Sequence, residues 1–130
     1  MLKKVMVVDD SELVHNMYRL MLKKYPGCVQ VSAKNGKEAL DLVGREPDID
    51  LILLDINMPV MNGVQFLENF SRHDLFKKIP IIIISTEGKE EDTLRGLSLG
   101  AKGYIAKPFR SLTLHELIEN ITGGKDRNPS

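Results

Sequence analysis

Short apolar runs of strand character alternate along the whole chain with segments of helical periodicity, and few folds satisfy that alternation. "KVMVV" reads as a strand; Leu13, Met17, Leu20 and Met21 then recur about once per helical turn until Pro26-Gly27 stops the helix. "CVQVS" alternates, and "NGKEALDLVGRE" follows as a helix that Asn35 caps, with Ala39, Leu40 and Val43 on one face. "DLILLD" is a second buried run, followed by "MNGVQFLENF", a helix capped by Asn62 and carrying Val64, Leu67 and Phe70. "IPIIIIS" is a third, followed by "EEDTLRGLSLGA", which Gly100 ends. "GYIAK" is a short strand, and the last helix opens at Thr113 and Glu116 with capping-box spacing and buries Leu114, Ile118 and Ile121.

Strand and helix in regular succession predict an α/β fold with one parallel sheet. The runs at Val5, Leu51 and Ile81 are continuously apolar, as strands covered on both faces should be. The alternating second run and the short fifth have the character of edges. The predicted order is therefore 2-1-3-4-5, a doubly wound five-stranded sheet with right-handed crossovers and helices on both faces. A chain of 130 residues suits a single domain, expected over residues 1–122, with "GGKDRNPS" leaving a polar tail over 123–130.

In this order the chain reverses direction between strands 1 and 3, and open α/β sheets bind ligands there, beyond the carboxyl ends of the strands. Asp9 and Asp10 end strand 1, Asp55 ends strand 3, Ser85 ends strand 4 and Lys107 ends strand 5. All of them are expected to meet in one crevice. Two carboxylates about 5 Å apart repel by roughly 3 kcal/mol at an effective dielectric near 20. Three such pairs cost on the order of 10 kcal/mol, comparable to the stability of a whole domain. Lys107 brings one compensating charge, so protons or a divalent cation must do the rest. Oxygen-only ligands favour a hard ion such as Mg²⁺. A carboxylate, a hydroxyl, a lysine and Mg²⁺ together suggest phosphoryl chemistry, with Asp55 as nucleophile.

The motifs "VVDDS", "LILLDINMPVMNG", "IIIIST" and "GAKGYIAKPF" resemble, in order and spacing, the receiver domain of two-component response regulators, over Leu2 to about Thr122. The resemblance implies a flavodoxin-like fold in which Asp55 is the phosphoacceptor. It implies that Asp9 and Asp10, with Asp55 and the Asn57 main-chain carbonyl, hold Mg²⁺. Ser85 matches the switch hydroxyl, Lys107 the conserved-type lysine and Tyr104 the switch aromatic, and Lys107-Pro108 is expected cis. Asn57, Glu87 and Thr86 stand where the family tunes loss of the phosphate. Asn and Glu there resemble the single-domain chemotaxis regulators, which implies a fairly short-lived phosphoryl state. The implied partners are a sensor histidine kinase or phosphotransfer protein and a downstream protein target, reached through the face of helix 4, strand 5 and helix 5. The implied role is that of a signalling phosphoacceptor, not a turnover enzyme, which assists its own phosphotransfer and dephosphorylation.

Other features narrow the setting. Zero formal net charge gives no electrostatic footprint for nucleic acid or a membrane surface. The chain opens directly into a strand, with no signal peptide expected, and the single Cys28 excludes an internal disulfide and fits a buried thiol in a reducing cytoplasm. Monomer and phosphorylation-dependent dimer are both open. His15, His73 and His115 lack metal spacing and are expected at the surface. Met58 and Met61 are expected to pack the loop after Asp55, and Leu117 to lie at the margin of the last helix. A haloacid-dehalogenase-type phosphatase needs a second Asp where Asn57 stands, and Asn cannot serve as the acid/base. An FMN carrier needs a hydroxyl- and glycine-rich phosphate loop, whereas "DDSELVHN" repels phosphate unless a cation intervenes.

Overall fold

The computed structural model of the protein describes residues 2–123. The expected polar tail lies, apart from Gly123, outside the described residues. Strands β1 (Lys4–Val8), β2 (Val29–Ala33), β3 (Leu51–Asp55), β4 (Ile81–Ser85) and β5 (Gly103–Ala106) alternate with helices α1 (Glu12–Met21), α2 (Gly36–Arg45), α3 (Gly63–Phe70), α4 (Glu90–Leu99) and α5 (Ser111–Ile118). All strand pairs are parallel, in the order β2-β1-β3-β4-β5, as the apolar patterns predict.

Side chains alternate across the pleat, so each central strand feeds two cores. Met6, Val8, Ile52, Leu54, Ile81 and Ile83 pack on one face with Ala39, Val43, Phe66, Leu67 and Phe70 from α2 and α3. Val5, Val7, Leu51, Leu53, Ile82 and Ile84 pack on the other with Tyr18 of α1, Leu22 just after it, and Leu114 and Ile118 of α5. The continuous apolar runs are thereby explained: no position in β3 or β4 faces solvent.

Local chemistry sets the helix starts. The Asn35 side chain accepts from the Glu38 N–H, and Asn62 and Gln65 form a reciprocal capping box at α3. Gly100, at φ 125°, ends α4. Gly63 follows the Asn62 cap where α3 passes close to β3: a Cβ there would lie 2.7 Å from the Asp55 carbonyl oxygen and 2.9 Å from the Ile56 Cα.

Three expectations are corrected. First, α1 turns Val14, His15, Tyr18 and Leu22 inward, while Leu13 and Leu20 are 78% and 68% exposed. Both stripes have helical spacing. The Ser11 cap on the Val14 N–H and the tie of His15 to Asp9 select the inner one. His15 is therefore buried, and so is His115, which meets the Tyr25 ring edge-on at 5.6 Å. Burial, then nearby Lys24, holds the His115 imidazole below its usual range against the opposing pull of Glu119. His73 is exposed as expected. Second, α5 begins at Ser111, with Arg110 extended before it and no side-chain cap; Thr113 and Glu116 lie inside the helix, both exposed. The Leu114 N–H already bonds the Arg110 carbonyl, so the helix is under way before the Thr113 hydroxyl could cap it. Third, Cys28 is half-buried rather than enclosed, because it precedes β2 at the open edge of the sheet.

The close approach at Gly63 yields a paired test by urea denaturation. Gly63→Ala is expected to destabilise the fold by about 1–3 kcal/mol through overpacking against backbone. Gly44→Ala, where nothing lies within 4 Å of the added carbon, is expected to stabilise it by about 0.5 kcal/mol. Equal effects would contradict the packing described.

Candidate functional site

The carboxyl ends of β1, β3, β4 and β5 bring the predicted polar residues to one edge of the sheet. Backbone bonds continue the ladder past the strands and fix each residue's height. The Asp9 N–H donates to Ala33, the Ile56 N–H to Ile84 and the Lys107 N–H to Ser85, at 3.0, 3.2 and 2.8 Å. One carboxylate oxygen from each of Asp9, Asp10 and Asp55 falls within 4.8 Å of the others. Asp9 and Asp55 are buried, and Asp10 is exposed at the mouth.

The Lys107 Nζ reaches between the two buried acids, 3.4 Å from Asp9 Oδ2 and 3.7 Å from Asp55 Oδ1. The Ser11 N–H donates to Asp9 Oδ1 at 2.9 Å and the Asn57 N–H to Asp55 Oδ1 at 3.3 Å. Three carboxylates against one ammonium leave two negative charges uncancelled when all are ionised. An all-oxygen donor set with that surplus suits a hard divalent cation, and Asp9, Asp10 and Asp55 are the residues able to hold it.

The electrostatics agree. Burial, reinforced by Asp9 and to a lesser degree by Asp10, pushes the Asp55 carboxyl up to about 6, against the pull of Lys107 and of the Asn57 N–H. Burial, with Asp9 and Asp55 nearby, also pushes the Tyr18 phenol up, so it stays protonated beneath the site.

The remaining predicted residues sit to one side of the acids. Ser85 is buried at the end of β4. Together with Thr86, Glu87, Leu94, Leu97, Tyr104 and Lys107 it lines a cavity of about 530 Å³ between α4 and β5. Tyr104 is 53% exposed, with its ring at the rim of that cavity. Asn57 and Glu87 are exposed and Thr86 is half-buried. Lys107-Pro108 is cis. The loop after β3 carries Val60 at φ 67°, a region β-branched residues rarely adopt. Met58 buried beneath it, and the Gly36 N–H donating to the Met61 carbonyl, hold it there. Leu117 is half-buried near Gly103, at the margin of α5.

Sequence reasoning missed His15, which donates from Nε2 to the Asp9 carbonyl at 2.7 Å. Its spacing of three from Tyr18 and seven from Leu22 was the available signal: His15 and Tyr18 are buried on α1 and Leu22 just past its end.

The raised Asp55 value fixes a sign for pH dependence. The unfolded carboxyl loses its proton near 3.8 and the folded one near 6. Between those values the folded state binds the extra proton, so this group's stabilising contribution is full below the lower value and is lost as pH rises through about 6. The total is about 3 kcal/mol. In metal-free buffer, Asp55→Asn is expected to match wild type in urea denaturation near pH 4 and to exceed it increasingly towards pH 7. A difference independent of pH would contradict the burial argument.

Comparison with known proteins covers nearly the whole chain. The family model for the response regulator receiver domain matches residues 5–119. The chain is 32% identical over 120 residues to a chemotaxis protein CheY homolog of Campylobacter jejuni, covering 92% of each. It is 33% identical over 123 residues to chemotaxis protein CheY1 of Helicobacter pylori, covering 95% of this chain and 99% of that one. Among solved structures, the chemotaxis response regulator CheY4 of Vibrio cholerae superposes with a TM-score of 0.80 at 32% identity, covering 93% of this chain and 99% of that one. With the flavodoxin-like sheet and the acidic crevice at its carboxyl edge, these matches establish that the chain belongs to the response regulator receiver domain family.

Proposed function

We propose that this receiver takes a phosphoryl group onto Asp55 from the phosphohistidine of a sensor histidine kinase or phosphotransfer protein. The observation that carries the reading is the gathering of three carboxylates within 4.8 Å beside a single lysine. Asp9, Asp10, Asp55 and the Asn57 carbonyl would hold Mg²⁺, which when bound supplies charge neutralisation for the phosphoryl oxygens.

The work of the chain's own groups follows from their placement. Asp55 loses its proton near pH 6, so at neutral pH it is a carboxylate able to attack phosphorus. The Asn57 N–H and Lys107 both engage Oδ1, leaving Oδ2 without a protein partner among the described residues. Oδ2 is then the attacking atom: its bond to phosphorus forms as the phosphorus–nitrogen bond breaks, and the departing imidazole retains a proton. Lys107 already lies within 4 Å of both buried acids and shifts its ammonium towards the incoming oxygens.

The new group adds up to about two negative charges and three acceptor oxygens. Ser85 turns its hydroxyl towards one of them. Tyr104, at the rim of a cavity with room for its ring, moves inward. The α4–β5–α5 face changes shape, and a downstream protein reads it. Asn57 and Glu87 stand exposed where water approaches Asp55, and half-buried Thr86 narrows that approach. Among the described residues no helix is long and apolar enough to cross a membrane. We place the domain, over residues 1–122, in the cytoplasm with its kinase.

Incubation with acetyl phosphate and Mg²⁺, followed by intact mass measurement, tests the assignment. Wild type is expected to gain one phosphoryl group, Asp55→Asn none, and wild type without Mg²⁺ far less. After donor removal the adduct should decay in well under an hour. An unchanged gain in Asp55→Asn moves the acceptor to another residue, and a half-life of many hours contradicts the roles given to Asn57 and Glu87.

A further inference from the structure

His15 is enclosed more completely than Asp9 or Asp55, at 1% exposure, yet nothing in the phosphotransfer scheme uses it. Its Nε2 lies 2.7 Å from the Asp9 carbonyl oxygen. A carbonyl only accepts, so Nε2 carries the proton. Nδ1 is buried with no partner among the described residues, so the Asp9 carbonyl is the ring's one hydrogen-bond partner there. The backbone of His15 is held from two further sides. Its N–H donates to the Ser11 carbonyl at 3.2 Å, and its carbonyl accepts from the Gln30 Nε2 on β2 at 3.0 Å.

The accepting oxygen matters because of which peptide it belongs to. The Asp9 carbonyl is part of the planar unit joining Asp9 to Asp10. Pinning that oxygen fixes the plane, and with it the direction in which the Asp10 Cα carries its side chain. Asp9 is otherwise fully held: its N–H on Ala33, Oδ1 on Ser11, Oδ2 beside Lys107. Asp10 has no such holdings among the described residues, and it is the exposed member of the acidic group. The His15 bond therefore falls on the one peptide that joins the two acids.

We infer that His15 is a positioning residue for the acidic pair, its Nε2–H fixing the Asp9–Asp10 peptide so that both carboxylates face one point and bind a divalent cation together. This rests on the reading of the crevice as a Mg²⁺ site. Partners one step removed from a metal typically change its affinity about 10–100-fold when removed. Gln can place an amide N–H near where the imidazole Nε2–H lies, whereas Leu fills the space without a donor.

The test is a Mg²⁺ titration followed by amide NMR shifts, with circular dichroism to confirm folding. His15→Leu is expected to weaken Mg²⁺ binding at least about 10-fold, and His15→Gln to restore it to within about 3-fold of wild type. His115→Leu, the loss of a buried histidine remote from the crevice, should bind as wild type. Should His15→Leu not fold, His15→Asn, whose shorter amide cannot reach the Asp9 carbonyl, replaces it with the same outcomes. Wild-type affinity in the donor-less variant, or a folded His15→Gln as weak as His15→Leu, overturns the inference alone. Wild type that binds no Mg²⁺ overturns the reading of the crevice and this inference with it.

Discussion

Like charges crowded at the carboxyl edge of a hydrophobic sheet are the constraint on which this structure turns. Asp9 and Asp55 are almost wholly buried, Asp10 adds a third carboxylate, and Lys107 answers them singly. Burial and repulsion from Asp9 push the Asp55 carboxyl up to about 6, the direction expected of a crowded, desolvated acid. Folding alone would select against such an arrangement, because an apolar or neutral residue at Asp55 would relieve it. The arrangement makes sense when the uncancelled charge is a binding site for a cation and, through it, for a phosphoryl group.

The rest of the molecule holds that crowding in place. Two cores, one on each face of the sheet, clamp β1, β3 and β4 so that their ends cannot splay. The Asn62 cap and the close approach of Gly63 set α3 directly behind Asp55. Ser11 and His15 do the same for α1 and Asp9. Beside the acids, Ser85 and Tyr104 line the cavity between α4 and β5.

How much of this was legible in the sequence depends on what each signal encodes. Continuous apolar runs mark strands covered on both faces, and β1, β3 and β4 lie where those runs predict. Strand order followed from which runs were weaker. The gathering of Asp9, Asp10, Asp55, Ser85 and Lys107 at one edge followed from their places at strand ends, and Asn35 and Asn62 announced their caps by residue type. The rotation of α1 was not legible, because its two stripes, one through Leu13 and Leu20 and one through Val14, Tyr18 and Leu22, fit the same period. The Ser11 cap and the tertiary tie of His15 to Asp9 separate them. The same ambiguity hid the burial of His15. The burial of His115 depends on Tyr25, some ninety residues earlier in the chain, and the start of α5 on the backbone at Arg110, not on a capping side chain.

If the crowded carboxylates are a cation site, its occupancy must relieve their repulsion. The most direct measurement is the free energy of unfolding as Mg²⁺ is raised at constant ionic strength, for wild type and for Asp55→Asn. Wild type is expected to gain stability with the logarithm of Mg²⁺ concentration, approaching about 1.4 kcal/mol per tenfold increase once the site is filled, and Asp55→Asn to gain much less. Stability indifferent to Mg²⁺ in wild type, or an equal gain in both proteins, would contradict the cation site.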